Sequence, residues 1–286
     1  MAGYFSADDR DNILRWIVAE TQKDASFAGC VLVGSGAAGF ADEYSDIDIV
    51  VVVYDSCPFE QVSEGWKQHV LDHLPILAHT SGLRADRIVL HNFYLNNYLE
   101  INNGILPLEL LAATRSRYKV LWDGTGHMQA ILDATWNERK DANPLAEYFN
   151  NRKAGIWHYI NHAFVALRRG REWQALSDIE EIRQQVICLR AYREGLEPKR
   201  NRDVDRMSDE FKQKISSLLI GPLILEELET KLNMAVRLFF QEAKDVCRHL
   251  NQPYDLAEVE AAMLLLLGHP GSDVGHDASK RKPDKL

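Results

Sequence analysis

The chain has 286 residues, 46 % of them hydrophobic, which is enough for one large or two ordinary domains with buried cores. Its formal charge is −9, from 33 basic and 42 acidic residues. That balance argues against a general nucleic-acid or membrane-surface binder and leaves room for a cationic small substrate.

The opening stretch reads as a helix running to about Lys23, capped by Ser6 or Asp8, with Ile13, Leu14, Ile17 and Val18 at helical spacing. CVLVGS then reads as a short buried strand and IDIVVVV as a second, rich in β-branched residues. Residues 60–74 return to helical spacing with Val62, Trp66, Val70 and Leu74. RIVLHNFYLNNYLEINNG reads as two strands joined at Asn96-Asn97, because Asn tolerates positive φ. YKVLWDG, residues 118–124, reads as a strand ending in an Asp-Gly turn.

The texture changes near Pro144. From Leu145 to about Leu267 the pattern is helical, clearest where Leu228, Leu232, Ala235, Phe239, Ala243, Val246 and Leu250 form one stripe. The stripe reads as bundle core, not a ligand face. Gly221-Pro222 and Gln252-Pro253 mark breaks between helices. The last stretch, GHPGSDVGHDASKRKPDKL, is polar and rich in Gly, Pro and charge, so disorder is expected, with its KRK triplet a solvated tail. The expected layout is α+β: a mixed-sheet domain over 1–143, a helical domain over 144–267 and a tail over 268–286. Cys30, Cys57, Cys188 and Cys247 are scattered without a CxxC pair, so neither structural zinc nor a disulfide framework is expected. No signal peptide is read at MAGYFSADDR, and no apolar run reaches the roughly 18 to 20 residues of a membrane helix. A soluble cytoplasmic protein is the expectation.

The informative stretch is GCVLVGSGAAGFADEYSDIDIVVVVYD, residues 29–55. Strand alternation points Asp46 and Asp48 the same way while Ile47 and Ile49 face the core. Two adjacent carboxylates repel, and a divalent cation such as magnesium offsets that repulsion through oxygen ligands. A solvated pair at a strand edge, or an aspartate capping a turn, would give the same letters. Upstream, Gly34-Ser35 ends the first strand and Gly36, Ala37, Ala38 and Gly39 follow. Small residues let backbone N–H groups approach an anion, a helix starting there would add its positive end, and Ser35 can donate a hydroxyl. The loop is not a P-loop, since the GxxxxGK[ST] lysine is absent, and it is not GxGxxG.

The combination of strand, Gly-Ser, ten residues, Asp-x-Asp and β-branched strand resembles the signature of the polymerase-β-like nucleotidyltransferase superfamily. SDIDIVVV resembles the small-molecule nucleotidyltransferases that modify antibiotics. The helical half is similar, in architecture alone, to the substrate-binding bundles of aminoglycoside and lincosamide nucleotidyltransferases. The resemblance implies a third carboxylate on a neighbouring strand. Of Asp86, Glu100, Glu109 and Asp123, the first looks like a turn residue, Glu109 lies in a helix-like LPLELL and Asp123 belongs to the Asp-Gly turn. Glu100 lies inside YLEINNG and is chosen, though an exposed glutamate at a sheet edge is the plain alternative.

The resemblance implies a mechanism in which Asp46 and Asp48, with Glu100, hold Mg2+ and Gly34 and Ser35 hold phosphates. An acceptor hydroxyl attacks the α-phosphorus, and pyrophosphate leaves. The base is Glu100 or one of Glu180 and Glu181, which are adjacent on a helix and so cannot both face a cleft. Lys153, with Arg152 beside it, is placed by position to meet the triphosphate, although a solvated pair fits equally. Trp157, Tyr159, His158 and His162 lie nearby as stacking, core or surface residues. The donor implied is a nucleoside triphosphate, ATP first, and the acceptor a hydroxyl of an aminoglycoside or lincosamide. Two alternatives stand beside this: a nucleotidyltransferase acting on a protein or an RNA end, and a non-catalytic nucleotide-binding module. A basic track that an RNA enzyme would need is missing, and retention of Gly34, Ser35, Asp46 and Asp48 together speaks against the module.

Overall fold

The computed structural model describes residues 4–40, 42–114, 116–139 and 143–268. The polar stretch after Gly268, including the KRK triplet, lies outside the described residues. The chain divides into two units, Met1–Asp141 and Ala142–Leu286, each with its own buried apolar cluster or clusters.

The first unit opens with helix α1 (Ala7–Lys23), which starts at Ser6. The Ser6 hydroxyl accepts from the Asp9 N–H while the Asp9 carboxylate accepts from the Ser6 N–H, so two otherwise orphaned helix-end donors are satisfied. Strands β1 (Phe27–Val33) and β2 (Ile47–Val53) follow, then α2 (Phe59–His73). Next come β3 (Ile76–Ala85), β4 (Ile88–Leu95), β5 (Glu100–Pro107), β6 (Tyr118–Asp123) and α3 (Met128–Arg139). The six strands form one sheet in the order β3-β4-β5-β2-β1-β6. All its pairs are antiparallel except β2 with β5. On one face of β2, Ile47, Ile49, Val51 and Val53 pack with Ile17 of α1 and Phe59, Trp66 and Val70 of α2. On the other face Val52 packs with Ala28, Val31 and, from α3, Met128 and Leu132.

Three local features differ from the sequence reading. Residues 76–85 form a strand that periodicity did not reveal. As the sheet's edge strand β3 buries almost nothing, and burial is what imprints alternation on a sequence. LPLELL forms only a single 3-10 turn, Leu108–Leu110, after the proline that ends β5. The positive φ of the β4–β5 turn falls on Tyr98 (φ +70°), not on Asn96 or Asn97. The Asp-Gly turn after β6 does more than reverse the chain. Asp123 Oδ1 accepts from the N–H groups of Thr125 and Gly126, and Oδ2 from that of Met128, the first residue of α3.

The second unit is helical: α4 (Pro144–Arg152), α5 (Ile156–Arg168), α6 (Glu172–Arg193), α7 (Asp209–Ser216), α8 (Leu225–His249) and α9 (Ala257–Gly268). The α8 stripe is core, with Leu228, Leu232, Ala235, Phe239, Ala243 and Val246 all buried. Glu242, on the same helix and 3 % exposed, is paired by Arg193 at 2.6 Å and Arg190 at 3.5 Å, both from α6. Burying one carboxylate is tolerated here because two guanidinium groups meet it. Among the described residues no helix is long and apolar enough to cross a membrane.

Candidate active site

The site begins where β1 stops. Gly34 takes φ +67°, a left-handed conformation that favours glycine. A Cβ built there would stand 2.3 Å from Oδ2 of Asp48, so the backbone passes directly against that carboxylate. Ser35, half-buried, makes no capping hydrogen bond. The chain then makes only a three-residue 3-10 turn, Gly36–Ala38, closed by the Gly39 N–H on the Gly36 carbonyl. The helix that would have added a positive end does not form, so an anion here would depend on individual loop N–H groups and the Ser35 hydroxyl.

The approach to β2 is held from α1. Arg10 is 4 % exposed, donates from Nη1 to the carbonyls of Asp42 (3.0 Å) and Ser45 (3.1 Å), and lies 3.7 Å above the Phe40 ring. A buried guanidinium thus fixes the turn that delivers Asp46. Sequence reasoning took α1 as apolar packing and missed this residue. Its signal would have been a cation on a helix face otherwise carrying buried positions such as Ile17.

Asp46 sits just before β2 and Asp48 within it, on the face opposite Ile47 and Ile49. Both reach one donor: Asn102 Nδ2 is 3.0 Å from Asp46 Oδ2 and 3.1 Å from Asp48 Oδ1. The parallel register places Asn102 beside Asp48. The amide offsets the repulsion between two carboxylates that converge on one point. Two hard oxygen donors so close together fit a small divalent cation such as magnesium.

The expected third ligand is not gathered with them. Glu100 is exposed at the first position of β5, opposite Tyr94 of β4, and among the described residues no group of three or more His, Cys, Asp or Glu side chains is arranged to hold a metal. Asn102, two residues on and therefore on the same face, is the side chain that bridges the pair. It could have been found by carrying the strand alternation forward from Glu100.

The remaining candidates lie in the second unit. Lys153 pairs with Asp255 at 2.5 Å and lies 5.4 Å from the Phe149 ring. Arg152 lies 6.0 Å from the Tyr148 ring. Glu180 accepts from Arg183 at 2.5 and 2.8 Å, and Glu181 accepts from Gln185. His158 and His162 stack with centroids 3.9 Å apart. Near them burial holds the Asp178 carboxyl above its usual range, with the two histidines opposing the shift. Trp157 is exposed, and Tyr159 packs on the helical core.

Residues 14–89 match the family described as nucleotidyltransferase domain. The chain carries a nucleotidyltransferase domain. The matched stretch runs from α1 into β4 and contains Arg10's loop partners, Gly34, Ser35, Asp46 and Asp48. Nucleotidyl transfer is the activity the domain brings, with a nucleoside triphosphate as donor. Two solved structures are similar to the chain. An aminoglycoside 6-adenyltransferase from Bacillus subtilis is 13 % identical with TM-score 0.42, covering 90 % of this chain and 97 % of its own. A nucleotidyltransferase-like protein from Exiguobacterium sibiricum 255-15 is 13 % identical with TM-score 0.43, covering 90 % and 88 %. No curated protein matches the sequence.

Proposed function

We propose that the protein transfers a nucleoside monophosphate, AMP from ATP, to a hydroxyl of a small molecule of the aminoglycoside or lincosamide kind, with Mg2+ and with release of pyrophosphate. The observation that supports this most is the convergence of Asp46 and Asp48 on a single donor beside the Gly34 backbone. In this reading Asp46 and Asp48 hold Mg2+, which when bound neutralises charge on the triphosphate. Loop N–H groups around Gly34 and the Ser35 hydroxyl receive phosphate oxygens. Glu100, clear of the pair, takes the proton of the acceptor hydroxyl as its oxygen bonds to the α-phosphorus and pyrophosphate departs. The cytoplasm is the proposed compartment.

The test is pyrophosphate release with ATP, Mg2+ and single acceptors, including aminoglycosides and a lincosamide. Release with one acceptor class and none with buffer alone is the expected result. No release with any acceptor or any of the four nucleoside triphosphates would overturn the reading.

A further inference from the structure

The surface beside Glu100 is unusual. Tyr4, Tyr44, Tyr94 and Tyr98 are 55, 66, 38 and 43 % exposed, yet their rings touch in sequence. Tyr44 meets Tyr4 (centroids 5.8 Å), Tyr4 meets Tyr98 (6.2 Å) and Tyr98 meets Tyr94 (6.3 Å). The four come from the N-terminal segment, the turn before β2, strand β4 and the β4–β5 turn. The segments that carry Tyr4 and Tyr44 are separately anchored. The Phe5 N–H donates to the Asn97 carbonyl at 3.0 Å, and buried Phe5 stacks on Tyr4 at 4.7 Å. The Tyr44 N–H donates to Asp42 Oδ1, in the turn that Arg10 clamps. Tyr94 is two positions from Asn92, the cross-strand partner of Asn102, so it lies on the face that carries Asp48.

Tyr98 is the most telling. It holds φ +70° without being glycine or asparagine, although two asparagines stand immediately before it. A bulky residue in that region costs about 1 to 3 kcal/mol, and such strain collects at functional positions. Nothing in the turn requires a ring for folding, since Tyr98 remains 43 % exposed.

The charge of the patch points to its ligand. The segments DEYSDID (42–48) and YLNNYLEIN (94–102) contain no Lys or Arg and carry Asp42, Glu43, Asp46, Asp48 and Glu100. Aromatic faces ringed by carboxylates attract cations and present rigid area at low entropic cost.

We propose that Tyr4, Tyr44, Tyr94 and Tyr98 form the acceptor platform, taking a saturated ring that bears ammonium groups. The proposal rests on the nucleotidyl-transfer reading for the word acceptor, but binding is measurable without catalysis. Full-length protein is titrated with 2-deoxystreptamine, a diamino ring, and with myo-inositol, its uncharged counterpart, by saturation-transfer NMR and tyrosine fluorescence. Binding of the diamine alone is expected. It should weaken at least tenfold in Tyr98→Asn and Tyr94→Ala, while Mg-ATP affinity stays within twofold. Asn accepts positive φ, so Tyr98→Asn should melt no lower than the parent, which separates lost binding from lost fold. Equal binding of myo-inositol, no binding of the diamine, or full binding by Tyr98→Asn would overturn the proposal. So would a tenfold loss of Mg-ATP, because the rings would then serve a nucleobase. Tyrosine-dependent amine binding in a protein that releases no pyrophosphate would leave the platform standing and remove the activity.

Discussion

At the scale of single residues, the candidate site brings together two carboxylates and one amide. Asp46→Asn and Asp48→Asn should each lower pyrophosphate release by at least about a hundredfold, the order expected when a main source of transition-state charge stabilisation is removed. Melting should hardly change, since neither exchange opens a cavity. Near-normal turnover in either variant would put the chemistry elsewhere. Asn102→Asp tests the bridge in the opposite sense. Three converging carboxylates should lower Tm in EDTA and enlarge the rise in Tm on adding Mg2+, because the cation then relieves more repulsion. An unchanged magnesium response would show that Asn102 does not sense a metal. That Asp46 and Asp48 share a face was legible in the sequence because it depends on short spacing along one strand. Asn102 and Arg10 were not, because each acts on residues far away in the chain, Asp48 and Asp42 among them, and only register or a fold can bring them together.

At the scale of elements, the sequence showed what burial had written into it. IDIVVVV gave β2 to the residue, and Ser6, one of the two caps read for the opening helix, gave α1 its start. β3 left no pattern because its two faces are mostly exposed and one edge is open. It should therefore exchange its amide hydrogens faster than central β2, which hydrogen-bonds to β1 and β5. Hydrogen-exchange mass spectrometry reads this directly, and equal protection in both strands would mean that the edge is covered. The β6–α3 junction makes a second element-scale prediction. Burial pushes the Asp123 carboxyl upward, but the Thr125 hydroxyl and the N–H groups of Met128, Thr125 and Gly126 outweigh it and hold the group below its usual range. Its stabilisation is complete above the unfolded value of about 3.9 and is lost as pH falls through the folded one. Asp123→Asn should cost about 1 to 3 kcal/mol near neutrality, judged from bonds to a charged acceptor. The gap to the parent should close below about pH 4. Urea titrations at several pH values check both points, and a gap independent of pH would assign the loss to geometry instead of charge.

At the scale of the whole molecule, the two units have separate cores, with the Asp46–Asp48 pair and the tyrosine surface both in the first. The change of texture near Pro144 was visible because strand and helix impose different periods on apolar residues. Of the strand neighbours only β4 and β5 were visible, because a short turn joins them; the rest of the order leaves no local mark. One pairing has a kinetic side. Asp48 and Asn102 lie 54 residues apart, and only the parallel β2–β5 ladder joins them, after α2 and the β3–β4 hairpin have been spanned. Hairpins and helices close quickly because their contacts are local, whereas a parallel ladder waits for a long loop to shut. After dilution from urea, far-UV ellipticity should therefore return before magnesium-dependent pyrophosphate release does. Simultaneous recovery would show that the ladder forms with the helices. The contact between Asp48 and Asn102 thus acts as a clock on its own assembly: a chain released early from the folding path can be fully helical and still lack it.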